Sequence, residues 1–541
     1  MISRRELVGG AGVVAPTLAF PAVLRSAEPE TPIATCAQGK IRGVVDNGVM
    51  IFKGVPYAGS VAGPQRRFRA PPPAQSWTGV RDATGLGPAS PQPPGGFFGL
   101  GEVIGEDCLV LNIWTPALDG ARRPVMVYHH GGGFVSGSGG APWQDGAALA
   151  RQYDVVVVQS NHRLGVMGYL FLGELLGPDY QGNQGLQDLV AALRWISENI
   201  ATFGGDPDNV MIFGESGGGG KTACLYAMPS AAPYFHKASI ESAIGPGAAD
   251  ADAATEQARQ VMKRMGISDA RALLSAPVAD IIRAQAGSGP NLPPGTARKD
   301  LPADFQPPMM FWPFVDGTIL PEQPFASGAP MISAQKPLIV GGCKDETVFF
   351  YRMDTSIFAL DMAGIKTRLT PILGDRTDAW IATFRRSRPQ ASPSELFIAI
   401  TTATPWRAHA IKLTEMKARQ QAAPVYSYIL DYRSPEPVPG TSFAEGSPHA
   451  SDIAMKFDTA PLFGPKATSR LATAHNMSEM WATFARTGRP GAKNQPTWKP
   501  YTLEARETMI IDAACRIESD PESLERQFFE KEPDADRIRS A

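Results

Sequence analysis

A serine flanked by glycines stands in the run Val210-Met211-Ile212-Phe213-Gly214-Glu215-Ser216-Gly217-Gly218. The pattern is G-x-S-x-G, set directly after an apolar, strand-like segment and before a helix-like one. A hydroxyl on a sharp strand-to-helix turn is presented at the top of a sheet, where it can attack a carbonyl carbon. The flanking glycines tolerate the close backbone approach such a turn needs. The helix that follows aims its first amides at the same spot and favours developing negative charge. A glycine-rich turn with an incidental serine is the plainer alternative, and the strand–turn–helix context weighs against it.

A second run, Val125-Met126-Val127-Tyr128-His129-His130-Gly131-Gly132-Gly133-Phe134, leads from an apolar strand into consecutive glycines. Such glycines leave backbone amides free to point at an anion. The amides of Gly132 and Gly133, with that of Gly217, form a candidate oxyanion hole. Loss of one donor of this kind typically costs about 3 kcal/mol of barrier lowering. The chain's seven histidines and five cysteines show no HxxxH, HExxH or CxxC spacing. No metal site and no dinucleotide fingerprint is present, so no cofactor is expected.

These residues need elements to position them. Short apolar or β-branched runs at Val125–His129, Val155–Ser160, Val210–Phe213, Leu338–Gly341 and Val425–Leu430 predict buried strands. Gly185–Phe203 carries Leu186, Leu189, Val190, Leu193 and Ile200 at helical spacing. Gly217–Ala227 is a second predicted helix. Strands alternating with helices imply a mostly parallel sheet covered on both faces. Gly87–Gly101 and Gly287–Pro308 read as loops, and Ile357–Ala423 as a helical insertion over one end of the sheet.

The 541 residues are 43% hydrophobic and 19% charged, with a formal net charge of −2. No block of like charge suggests nucleic acid or an anionic membrane as partner. The 55 glycines and 49 prolines make about a fifth of the chain, against a usual ~12%, which predicts many loops. The opening Ser3-Arg4-Arg5 precedes a mildly apolar run from Leu7 to Leu24. Residues 1–27 are therefore expected to be a twin-arginine export signal, giving a periplasmic or secreted protein; a cytoplasmic protein is the alternative. Pro16 and Pro21 interrupt the run, and no stable membrane insertion is expected.

Taken in order, these motifs resemble the type-B carboxylesterase family, bacterial members included. The resemblance also rests on Glu106-Asp107-Cys108-Leu109-Val110-Leu111-Asn112-Ile113-Trp114, Phe52-Lys53-Gly54-Val55-Pro56-Tyr57-Ala58, Asn161-His162-Arg163-Leu164-Gly165 and Phe203-Gly204-Gly205-Asp206-Pro207. It spans nearly all of residues 28–541, which are expected to form one domain. It implies an α/β-hydrolase fold: a large, mostly parallel central sheet with helices on both faces and helical or loop insertions over the active site. It further implies a catalytic triad. The family's acid falls on Glu346 in Lys344-Asp345-Glu346-Thr347, and its base on His449 in His449-Ala450-Ser451-Asp452-Ile453. Ser216, Glu346 and His449 then follow the chain order usual for this fold. The rivals are Asp345 for the acid and His130 for the base. Glu215, beside the nucleophile, and Ser242 are candidates to support the triad from behind, with plain structural burial an equal alternative for Ser242.

Several positions depart from the family. Ser90 stands where a cysteine commonly bridges to the position of Cys108, which implies a free, buried Cys108. Gly217 replaces the usual alanine after the nucleophile. Thr347 and Ala450 replace glycines. The implied activity is hydrolysis of small-molecule carboxylic esters through an acyl-enzyme, by a monomer or weak homodimer. Amide, carbamate or lactone cleavage at the same site is the nearest alternative. A non-catalytic binding protein of the same fold is disfavoured by the complete triad. Phe97, Phe98, Phe134, Phe349 and Trp406 are candidates to line the substrate pocket.

Overall fold

The structure is a computed structural model, and the residues described are 31–94, 103–243, 248–288, 306–462, 464 and 466–531. The expected signal at 1–27 and the pocket candidates Phe97 and Phe98 lie outside the described residues. The framework is an 11-stranded sheet. Its strands are β1 Val44–Asp46, β2 Val49–Pro56, β3 Val110–Thr115, β4 Arg123–His129, β5 Val156–Ser160, β6 Gly205–Glu215, β7 Lys237–Glu241, β8 Leu338–Cys343, β9 Val425–Leu430, β10 Glu507–Ile511 and β11 Arg516–Ser519. The spatial order is β1-β2-β3-β5-β4-β6-β7-β8-β9-β10-β11. From β5 to β10 every neighbouring pair is parallel. The outer pairs at both ends are antiparallel.

Side-chain alternation explains why both faces are covered. In β4, Val125 and Val127 enter one apolar cluster, while Met126 and Tyr128 enter another. Val210 and Ile212 of β6 divide from Met211 and Phe213 in the same way. Strands apolar on both faces need helices on each side. On the first face lie α1, Gln184–Asn199, and α2, Gly217–Ala227, which contribute Leu186, Leu193 and Leu225. On the second lies α4, Thr468–Thr487, with Met477, Trp481 and Phe484. The short helix α3, Ser451–Lys456, stands between α4 and the site. Within 357–423 the α-helices Met362–Leu373, Thr377–Ser387, Pro393–Thr402 and Ala408–Arg419 form, and Trp380, Phe384 and Phe397 fill a third cluster. The expected helix 185–203 ends its α-helical part at Asn199 and tightens into a 3₁₀ turn over Ile200–Phe203.

One buried ion pair locks the segment after β5 to α1. Arg163 donates through Nε and Nη2 to Asp188 at 2.8 and 2.7 Å, and its backbone amide adds a bond of 3.0 Å. Its remaining Nη1 reaches the Arg69 carbonyl at 2.7 Å. Both side chains are buried, so removing one partner strands the other in a low-dielectric interior. Asp188→Ala is expected to cost about 3–5 kcal/mol, read as a lower midpoint in urea unfolding. An unchanged midpoint would remove this pair from the account of stability.

Candidate active site

Strand β6 ends at Glu215, helix α2 starts at Gly217, and Ser216 makes the turn between them with φ 58° and ψ −123°. A non-glycine residue in this region carries backbone strain of about 1–3 kcal/mol, held in place by its surroundings. The Ser216 amide donates to the Glu241 carbonyl at 2.9 Å, and its carbonyl accepts from the Gly220 amide at 3.0 Å. The glycines after the serine serve close packing. A Cβ on Gly218 would stand 1.9 Å from the His129 carbonyl oxygen, and one on Gly217 would stand 2.0 Å from the Gly133 carbonyl oxygen. Gly217 itself is helical, so its effect here is space for the neighbouring loop rather than unusual dihedrals.

That loop is the run of glycines after β4. Gly132 and Gly133 have φ of 85° and 64°, a region that favours glycine. The Gly132 carbonyl is pinned by the amide and hydroxyl of Ser136, each at 3.1 Å. Among the described residues, the amides of Gly132, Gly133 and Gly217 donate to no protein group. Three unspent donors therefore border the partly exposed Ser216.

Glu346 and His449 meet on the other side. His449 Nδ1 lies 2.5 Å from Glu346 Oε2. The second carboxylate oxygen accepts from Ser242 Oγ at 2.7 Å and the Cys343 amide at 2.8 Å. Ser242 holds φ 45° just after β7, which turns its hydroxyl toward the acid. His449 Nε2 faces Glu215 Oε1 at 3.3 Å. Ser216 and His449 make no hydrogen bond with each other, and the imidazole Nε2 is directed at Glu215 instead. Asp345 instead accepts from the Ser447 amide at 3.0 Å. His130 rests its Nδ1 2.9 Å from the Gly131 carbonyl and stacks on His162, while His129 bonds Thr222. Neither the Asp345 nor the His130 side chain bonds to Glu346 or His449. Thr347 adopts ordinary helical dihedrals, whereas Ala450 takes φ 66° where a glycine is more comfortable.

Aromatic rings frame the imidazole. Phe350, Trp406 and Phe349 have centroids 5.0, 5.8 and 5.9 Å from His449. A cavity of about 350 Å³ opens beside it, lined by Phe349, Arg352, Tyr432, Pro448, His449 and Ser451, among others. Phe134 lies apart, packed on Tyr169 and Trp312.

Burial pushes the Glu215 carboxyl up to about 8. Burial alone would lower His449, but the carboxylates of Glu215 and Glu346 and the Glu346 bond outweigh it and raise the imidazole. The two shifts describe protons shared by one pair. Behind the pair, Lys456 is bonded to both Glu241 and Asp452, all fully buried. Glu241 also accepts from Ser239 Oγ and Trp481 Nε1. His129, His130 and His162 are held neutral by burial and by the positive charge of Lys221.

Residues 30–529 match the Carboxylesterase family. The chain belongs to the carboxylesterase family. It is 33% identical over 510 residues to a para-nitrobenzyl esterase of Bacillus subtilis (strain 168), covering 92% of this chain and 98% of that protein. A phenmedipham hydrolase of Pseudarthrobacter oxydans is 30% identical over 498 residues, 89% of this chain and 95% of that one. The crystal structure of a carboxylesterase from Geobacillus stearothermophilus at pH 6.2 superposes with a TM-score of 0.78 at 34% identity, covering 92% and 99%. The α/β-hydrolase fold and the carboxylic ester hydrolase class follow from these likenesses.

Some members of this carboxylesterase site were not singled out from sequence. Phe350 stands closer to His449 than either of the pocket candidates beside it, and Lys221 and Lys456 are buried charges in apolar stretches. A lysine inside a glycine-rich helix five residues after Ser216 was the available signal. Glu215→Gln removes a negative charge that favours the imidazolium. The rising limb of kcat/KM against pH is therefore expected to move to lower pH by about 1. A limb that stays or moves upward contradicts this electrostatic reading.

Proposed function

We propose that Ser216, His449 and Glu346 are nucleophile, base and acid in the hydrolysis of neutral carboxylic esters, with Gly132, Gly133 and Gly217 supplying the oxyanion hole. His449 takes the Ser216 proton as the hydroxyl attacks, then delivers it to the departing alcohol. Water hydrolyses the acyl-enzyme by the reverse proton path. Glu346 fixes the imidazole tautomer and stabilises the imidazolium. One observation carries the reading: the 2.5 Å bond between His449 and Glu346, with Nε2 turned toward the residue next to Ser216.

Ser216→Ala is expected to abolish p-nitrophenyl acetate turnover while the protein still folds, and a fluorophosphonate is expected to label the unmutated chain once, at Ser216. Retained turnover, or a label elsewhere, removes the assignment. We also assign residues 1–27 to twin-arginine export, supported by Arg4-Arg5 and the apolar run behind them. A reporter fused after residue 27 is expected in the periplasm, and the double change Arg4→Lys, Arg5→Lys is expected to hold it in the cytoplasm. Equal distribution of both reporters refutes this.

A further inference from the structure

Lys221 is a fully buried amine that the mechanism above does not use. It sits on α2, five residues beyond Ser216. Side chains on a helix lean toward its N-terminus, so this long arm runs back along α2 toward the nucleophile turn. Its Nζ donates to the His130 carbonyl oxygen at 2.9 Å. That carbonyl belongs to the peptide joining His130 to Gly131, where the oxyanion loop begins. The same oxygen would lie 3.0 Å from a Cβ on Gly218, so the loop is clamped between the lysine head and the helix backbone.

The surroundings offer no countercharge. Among the described residues no carboxylate forms an ion pair with Lys221. The groups around it are the neutral rings of His129, His130 and His162 and the face of Phe134, whose centroid is 5.8 Å away. Burial pushes the ammonium down to about 7, while the carbonyl acceptor and the aromatic face both favour its charged form. A methionine would fill this volume without bringing a charge into the interior. The uncompensated charge is adjacent to the one place in the fold where negative charge develops during acyl transfer.

We propose that Lys221 is a positioning residue for this reaction, its ammonium fixing the His130–Gly131 peptide and placing positive charge behind the oxyanion loop. The proposal rests on Ser216 being the nucleophile. It acts through the loop and touches no reacting atom. The interaction strengthens as the carbonyl oxygen gains charge, so it lowers the barrier more than it tightens substrate binding.

The test compares Lys221→Met, which removes charge and donor, with Lys221→Gln, which keeps a neutral donor for His130. Both are made in the full chain and checked for folding by circular dichroism. Turnover of p-nitrophenyl acetate is measured beside inhibition by an aryl trifluoromethyl ketone, which forms a charged adduct with a nucleophilic serine. Both variants are expected to lose roughly 10- to 100-fold in kcat with KM within about twofold. Affinity for the ketone is expected to fall by a similar factor. Wild-type kcat and ketone affinity in Lys221→Gln overturn the role of charge, and so does a loss confined to KM. Should Lys221→Met fail to fold, Lys221→Gln decides alone. Fluorophosphonate titration separates the two levels of the argument. If the unmutated chain takes no label at Ser216, the nucleophile assignment has failed. If every variant is labelled and kcat is unchanged, only the lysine proposal has.

Discussion

Backbone contact between the first turn of α2 and the end of β4 sets the geometry of the whole site. At Gly218 even a methyl group would overlap the His129 carbonyl, and at Gly217 it would overlap Gly133. This contact brings the glycine loop against the helix N-terminus, with the unbonded amides of Gly132, Gly133 and Gly217 near Ser216. Ser216 makes the turn beside it with strained dihedrals. The strain is held by the parallel pairing of β6 with β4 and β7, since those strand ends supply the partners on either side. The close approach of helix and loop beside Ser216 therefore depends on glycine at Gly218 in particular.

The electrostatic arrangement follows from where the sheet ends. Four carboxylates, Glu215, Glu241, Glu346 and Asp452, are buried within one region, and they are managed in three ways. Glu346 is satisfied by three donors, including His449. Glu241 and Asp452 share the ammonium of Lys456. Glu215 Oε1 has no hydrogen bond, and burial raises the proton affinity of its carboxyl. A reserve of negative charge thus stands on one side of His449 and favours the charged imidazole. On the opposite flank, near the oxyanion loop, the histidines are neutral and Lys221 supplies the only lysine charge among them. Negative charge is thus gathered on one flank of the site and the buried lysine on the other.

Much of this was legible in the sequence where the signal was local. The strand–glycine–serine–glycine–helix pattern located Ser216, and α2 runs over the expected Gly217–Ala227. Strand β9 falls on the expected Val425–Leu430, because its apolar run is short and bounded by turns. Strand β7 was not anticipated. Its sequence Lys-Ala-Ser-Ile-Glu looks polar, and it is buried because Lys237 and Glu241 find partners from distant segments and Ser239 bonds Glu241 within the strand. Glu346 and His449 lie more than a hundred residues apart, so no spacing rule joins them and only family resemblance could. Glu241 beside Lys456 and His130 beside Lys221 are likewise tertiary partners, and a single buried charge leaves no periodic trace.

All five cysteines are buried, and none is bonded to another. Ser90, beside the buried Cys108, occupies the place where its relatives commonly carry a bridging partner, and its hydroxyl accepts instead from the Leu164 amide at 3.1 Å. The native state therefore holds together without any oxidative cross-link. With no disulfide to break, a strong reductant has no cross-link to act on in its folded architecture.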